Sequence, residues 1–210
     1  YMEPDCRVKT NKVGFCARHF GLMFERRNRL GLALMTHTHM QEVTRDLKAI
    51  LENGGSSKGL LAALRGGKNE DTRAAKIRER LSGCVICEQI NGAVSRYAYT
   101  IAQLYGTNAE FKPMFDGSKG FCLPHLALVL DLAQKTLPAA QAEAFTQAVA
   151  AVELPNLERV EKELEWFTLK YDFRNADKPW GNSRDAVERS INKLMGACVG
   201  EEAKMPAHND

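Results

Sequence analysis

Three pairs of residues, each spaced three apart, limit most strongly what this chain can fold into. Cys84-Val85-Ile86-Cys87 is a C-x-x-C, while Cys16 and Cys122 each open a C-x-x-H that closes on His19 and His125. A turn or helix start with this spacing aims two donor atoms at one point, as a metal ion requires. Six cysteines in 210 residues are too sparse for a small disulfide-stapled domain, so the spacing reads as metal ligation.

The set expected from chain order is Cys84, Cys87, Cys122 and His125, a Cys3His tetrahedron suited to zinc. The 34 residues between Cys87 and Cys122 would form a helical excursion between its halves. The N-terminus of the following helix would favour the thiolate of Cys122, and Lys119 would offset the site's net negative charge. Val85 and Ile86 are expected to pack outward around the metal as an apolar shell. Cys16 and His19 read as half of a second site, to which Cys6 is a weak candidate third ligand. Cys198 reads as a lone thiol. An iron–sulfur cluster is the less favoured occupant of the same ligands. Thiol–disulfide exchange at the C-x-x-C lacks a strand–helix setting, and Glu88 after Cys87 excludes c-type haem attachment.

The remainder of the chain reads as helix. Apolar residues recur at helical spacing, and no alternating β-branched run with hairpin turns interrupts them. Helices are expected from Cys16 through Ile50 with a bend near Asn28 and Gly31, over Leu60–Leu64, over Asp71–Leu81, and from Glu88 to Tyr105. A short helix or turn should cover Asn108–Phe115. Prolines at 124, 138 and 155 suit first helical turns, predicting helices over Pro124–Thr136, Pro138–Val152 and Pro155–Tyr171. Asp172–Asn182 reads as a loop, Ser183 opens a last helix ending near Gly196, and the 201–210 tail reads as frayed. The expected fold class is an all-α multi-helix bundle with Cys/His metal knuckles.

The stretch Lys12–His19 matches Ser118–His125 through a shared G-F-C-x-x-H, 106 residues apart. An apolar helix follows each, with Leu22 in the place of Leu128. An internal duplication is therefore expected, with a first repeat at 1–57 and a second at 58–210 in one compact unit. The same offset places a C-x-x-C equivalent to Cys84/Cys87 about 22 and 19 residues ahead of position zero.

Other features narrow the function classes. A net charge of +3 is too small to argue for nucleic acid or an anionic membrane. The basic stretch Arg65, Lys68, Arg73, Lys76, Arg78 and Arg80 is interrupted by acids and lacks interleaved aromatics, so it reads as a solvated face. No apolar run approaches the roughly 20 residues of a membrane span, and no secretory leader is visible; a cytoplasmic location is the expectation. His37 and His39 point to different sides of a helix and cannot share a metal. The Arg174–Asn182 loop gathers Arg, Asn, Asp and Trp, so it reads either as a polar ligand site or as a packing device.

The blocks Tyr1–Asp5, Thr10–Cys16, Asn28–His39, Gly120–His125 and Arg174–Asn182 resemble an uncharacterised bacterial domain-of-unknown-function family over essentially the whole chain. The resemblance implies a further C-x-x-C ahead of the part matching Tyr1, and it brings no established activity. The expectation is a non-catalytic zinc protein serving as an interaction or regulatory module, with a protein or a second copy of the chain as partner. The alternative is a redox-active or iron–sulfur protein, or an enzyme using the 174–182 loop with His37 and His39.

Overall fold

The computed structural model describes residues 3–52 and 72–200. Among these, every regular element is helical: α1 (Pro4–Val13), α2 (Ala17–Glu25), α3 (Arg29–Glu52), α4 (Arg73–Leu81), α5 (Val85–Thr107), α6 (Phe111–Asp116), α7 (Leu123–Thr136), α8 (Ala139–Leu169) and α9 (Ala186–Met195), with a 3-10 turn at Phe173–Asn175. The all-α expectation holds. The expected helix at Leu60–Leu64, the basic residues Arg65 and Lys68, the 57/58 repeat boundary and the 201–210 tail lie outside the described residues. Two compact units emerge, Tyr1–Gly92 and Ala93–Asp210.

In the first unit, α1 packs on α3, as do α2 and α4. The helix α1 was not expected. Its sequence is polar, and it is held by a polar seam rather than an apolar stripe. Arg7 donates to Thr38 Oγ1 at 3.1 Å, Thr38 donates to Asn11 Oδ1 at 2.6 Å, and His39 Nδ1 meets the Asn11 carbonyl at 2.7 Å. The expected bend near Asn28 is a full break. Arg27 takes a positive φ of 62°, and Asn28 Oδ1 accepts from the Gly31 N–H at 3.0 Å, satisfying a free donor at the start of α3. Arg80 of α4 pairs with Asp46 of α3 at 2.8 Å.

Among the described residues of this unit few side chains are fully buried, and the apolar ones are Phe15, Cys84 and Val85, backed by Val13, Phe20, Met23, Met35 and Ile86. The core of the first unit is therefore built around its cysteines.

The second unit has a conventional apolar core. Ala98, Ala102, Phe115, Val129, Ala133, Phe145, Val149 and Val152 are buried together. Tyr105, Phe115 and Phe145 form a cluster with ring centroids 5.1 to 5.6 Å apart, the separation at which tilted aromatic pairs attract.

The two helices expected on either side of Pro155 are one, α8, with Pro155 inside it. Proline removes one hydrogen bond and crowds the preceding turn. Beside it, Asn156 Nδ2 donates to the Val152 carbonyl at 2.9 Å. Packing of Val149, Val152 and Val160 on both sides of the proline keeps the helix continuous. At the end of α9, Gly196 caps the helix in the left-handed conformation (φ 63°, ψ 32°), the role for which glycine is favoured.

Candidate metal centre

Each G-F-C-x-x-H segment places its cysteine at the start of a helix. Cys16 caps α2 with φ −72° and ψ 164°, and Cys122 caps α7 with φ −73° and ψ 153°. The cysteine carbonyl accepts from the residue four ahead in both, Phe20 and Leu126, at 2.9 Å. The histidine Nδ1 then faces its own cysteine Sγ, at 3.3 Å for Cys16–His19 and 3.1 Å for Cys122–His125. Gly14 and Gly120 both adopt positive φ, 75° and 70°. A Cβ on Gly14 would collide with the His39 ring, and one on Gly120 with the Glu153 carboxylate. The glycine shared by the two motifs therefore serves both chain direction and close packing.

The C-x-x-C sits in the same way. Cys84 directly precedes α5, and its carbonyl accepts from the Glu88 N–H at 2.9 Å. Cys87 lies in the first turn, its N–H directed at Cys84 Sγ at 3.5 Å. The Val85 N–H donates to the Gly14 carbonyl at 3.1 Å, which stitches this knuckle to the first C-x-x-H. Val85 is buried in the small core instead of facing outward, and Ile86 is half-buried.

Four donor atoms converge as a result. Cys16 Sγ, His19 Nδ1, Cys84 Sγ and Cys87 Sγ all lie within 4.8 Å of one another. His19 Nδ1 is 3.3 Å from Cys84 and 3.4 Å from Cys87, and the Cys16 and Cys87 sulfurs are 3.8 Å apart. A zinc tetrahedron with bonds of about 2.3 Å to sulfur and 2.0–2.1 Å to nitrogen has S···S edges of about 3.8 Å and S···N edges of about 3.5–3.6 Å. The spacing matches a coordination shell, and it is far too long for a disulfide bond of about 2.05 Å.

Without a cation the three thiols compete for charge. Burial opposes ionisation of Cys84. Hydrogen bonds from the Cys87 and Cys16 backbones, then from His19 and Cys87, outweigh it and lower this thiol to about 6. Cys87 is pushed up to about 11 by its hydrogen bond with Cys84, by burial, and by the neighbouring Cys84 and Cys16 sulfurs. A divalent cation reverses this logic by favouring every thiolate at once.

The grouping differs from the one expected from chain order. The C-x-x-C donors stand together with those of Cys16 and His19. The physical reason lies in the tertiary contacts just described, the Gly14–Val85 hydrogen bond and the burial of Phe15 and Val85 beside the sulfurs. Cys122 and His125 stand together in the second unit, and Cys6 is a partly exposed free thiol outside the four-atom group.

With this arrangement in view, comparison with known proteins gives one match. Residues 1–201 match a family of unknown function, DUF6062. The chain belongs to that family. No curated protein and no solved structure matches it, so the DUF6062 assignment carries no activity with it.

The other sequence-level candidates are occupied locally. His39 bonds the Asn11 carbonyl and packs against Gly14. Within the Arg174–Asn182 loop, Arg174 pairs with Asp172. The loop is wrapped around Lys170, whose buried ammonium donates to the carbonyls of Asn175, Ala176 and Lys178 at 2.6 to 2.8 Å. Trp166 Nε1 donates to the Pro179 carbonyl at 3.0 Å, and Trp180 packs on Phe167. Lys170 was not singled out in the sequence, where a lysine near a helix end has no distinguishing mark. No described helix is long and apolar enough to cross a membrane.

Proposed function

We propose that the protein is a zinc-stabilised helical scaffold that acts as an interaction or regulatory module, with zinc held by Cys16, His19, Cys84 and Cys87. One observation carries this reading: four soft donors stand at the edge lengths of a zinc tetrahedron, leaving no position for water or substrate. A closed set is the mark of a structural site, since a catalytic zinc keeps one position open. The donors come from the first turns of α2 and α5, where free N–H groups and the helix dipole favour thiolates. The first unit fits such a site, because the apolar core among its described residues is small, centred on Phe15, Cys84 and Val85.

An interaction role draws support from α3. It contains no fully buried residue and exposes Leu30, Met40 and Leu51 at 72%, 60% and 53%. The internal closure of the Arg174–Asn182 loop around Lys170 supports a packing role for that segment over a substrate site.

The test is metal analysis of anaerobically purified protein together with its visible spectrum. Zinc without visible absorbance, lost in Cys84→Ser, is the expected result. Iron with a broad visible band would transfer the same ligands to the redox class, and a metal-free protein with a reversible Cys84–Cys87 disulfide would overturn the proposal.

A further inference from the structure

The helix α3 turns one face to its own unit and leaves the other open along its length. Leu32, Met35, His39, Glu42, Asp46 and Ile50 are half-buried on the face that meets α1, α2 and α4. Across the helix from them, Leu30, His37, Thr44 and Leu51 recur every seven residues, with Ala33, Met40 and Leu47 interleaved. All seven are exposed, the four longest apolar ones at 37% to 72%. Steps of three and four alternate without a break over three heptads, the a/d seam of a coiled coil. His37 and Thr44 both fall at a positions, where a polar residue sets register at a cost in stability. A seam of this period is filled by the side chains of another helix.

Two observations identify that helix. The first is the polarity of the face. Leu34, Gln41 and Lys48 flank the seam and are exposed, so the face carries no carboxylate and a single full charge, Lys48. It is matched by a face of its own kind. Laid antiparallel with Leu51 opposite Ala33, the seam continues as Leu47 on His37 and Met40 on Thr44. Each layer then sets a large side chain against a small or polar one. The same three layers repeat about a two-fold axis, as an isologous interface requires.

The second observation is the charge at the ends of α3. Arg26, Arg27 and Arg29 are exposed at its start against one acid, Glu25, and the first turn holds no acidic residue. The last turn carries Glu52 and no basic residue. Charge at both ends therefore adds to the helix dipole instead of opposing it. An antiparallel copy brings the arginine end to the partner's Glu52 end, whereas a parallel copy would stack arginines on arginines.

We infer that α3 pairs with α3 of a second copy of this chain as an antiparallel two-stranded coiled coil. The inference rests on the interaction role proposed above and gives that role a partner, but it does not depend on the metal.

The test is sedimentation of the full reduced chain over a wide concentration range. Wild type should form a reversible dimer. Met40→Glu with Leu47→Glu should sediment as a monomer while keeping its far-ultraviolet circular dichroism and its metal content. Ala49→Glu, exposed but off the seam, should dimerise as wild type does and controls for the added charge. Arg26→Gln with Arg27→Gln should weaken the dimer several-fold, and a tighter dimer would overturn the antiparallel arrangement. A dimer that survives both seam glutamates would place the interface elsewhere and overturn the pairing. A zinc-loaded wild type that stays monomeric would overturn the pairing while leaving the zinc scaffold intact. A metal-free wild type that dimerises through the seam would support the pairing while removing the zinc.

Discussion

The two units reach stability by different routes. The first buries Phe15 and Val85 against Cys84 and joins its helices through polar contacts such as Arg7–Thr38 and Arg80–Asp46. The second buries eight apolar side chains in one cluster, with Phe115 and Phe145 at its centre. The same G-F-C-x-x-H hairpin stands in both, with matching backbone angles. The same local motif can therefore stand in surroundings whose source of stability differs. Where the core is small, the proposed metal would supply by ligand bonds what buried area supplies elsewhere, as in other small metal-dependent folds.

Chelation tests that contrast most severely. Structural zinc sites contribute about 10–16 kcal/mol of apparent binding free energy at neutral pH. On the proposed zinc reading, removing the metal should unfold the first unit and leave the second folded. Hydrogen exchange should show α1–α4 losing protection while α7 and α8 keep theirs; equal loss in both units would break the comparison.

Phe145→Ala is the converse experiment. Phe145 is fully buried, and truncating such a side chain costs about 3–5 kcal/mol. The melting transition of the second unit should fall while zinc stoichiometry at the first site stays at one; a loss of that zinc would show that the units are not independent. Lys193→Met sharpens the point within the second unit. Lys193 pairs with buried Glu153 at 2.6 Å, and breaking such a pair strands a charge at a cost of about 3–5 kcal/mol. The paired change Lys193→Met with Glu153→Gln should recover part of that loss in a denaturant titration.

Gly14→Ala and Gly120→Ala compare the two hairpins directly. Each places a Cβ at positive φ, costing about 1–3 kcal/mol, and each meets a neighbour. The extra cost should be larger at Gly120, where the displaced Glu153 is buried and ion-paired, than at Gly14, where the displaced His39 is partly exposed. Chemical denaturation of both variants decides the order.

The smallest effect is a pH dependence confined to the second unit. Burial opposes the charge on Glu163, but hydrogen bonds from Arg189 and Arg159 outweigh it and hold its carboxyl below the ordinary value of 4.5. A lowered folded pKa gives stability that is fully present above the unfolded pKa and is lost as pH falls through the folded one. Glu163→Gln should flatten the acid limb of the second unit's stability profile, and an unchanged limb would place the acid sensitivity elsewhere.

The helical elements were legible in the sequence wherever an apolar stripe or a cap marked them, as at α5, α7 and α9. The polar helix α1 carried no such stripe, and Pro155 read as a boundary because the packing of Val149, Val152 and Val160 on both of its flanks is a tertiary matter. The same division applies to the site. All four residues of the converging group stood out as ligand candidates, because a spacing of three at a helix start fixes geometry locally. Their partnership did not. Chain order favoured the pair separated from Cys87 by 34 intervening residues over one separated from Cys84 by 64. That preference carries little weight, since closing a loop of doubled length costs only about 0.6 kcal/mol more. The Gly14–Val85 hydrogen bond and the burial of Phe15 beside the sulfurs outweigh so small a difference. The sequence by itself determined the ligand types and their local pairing, and the tertiary structure decided which pairs meet, because long-range contacts rather than chain distance set that choice.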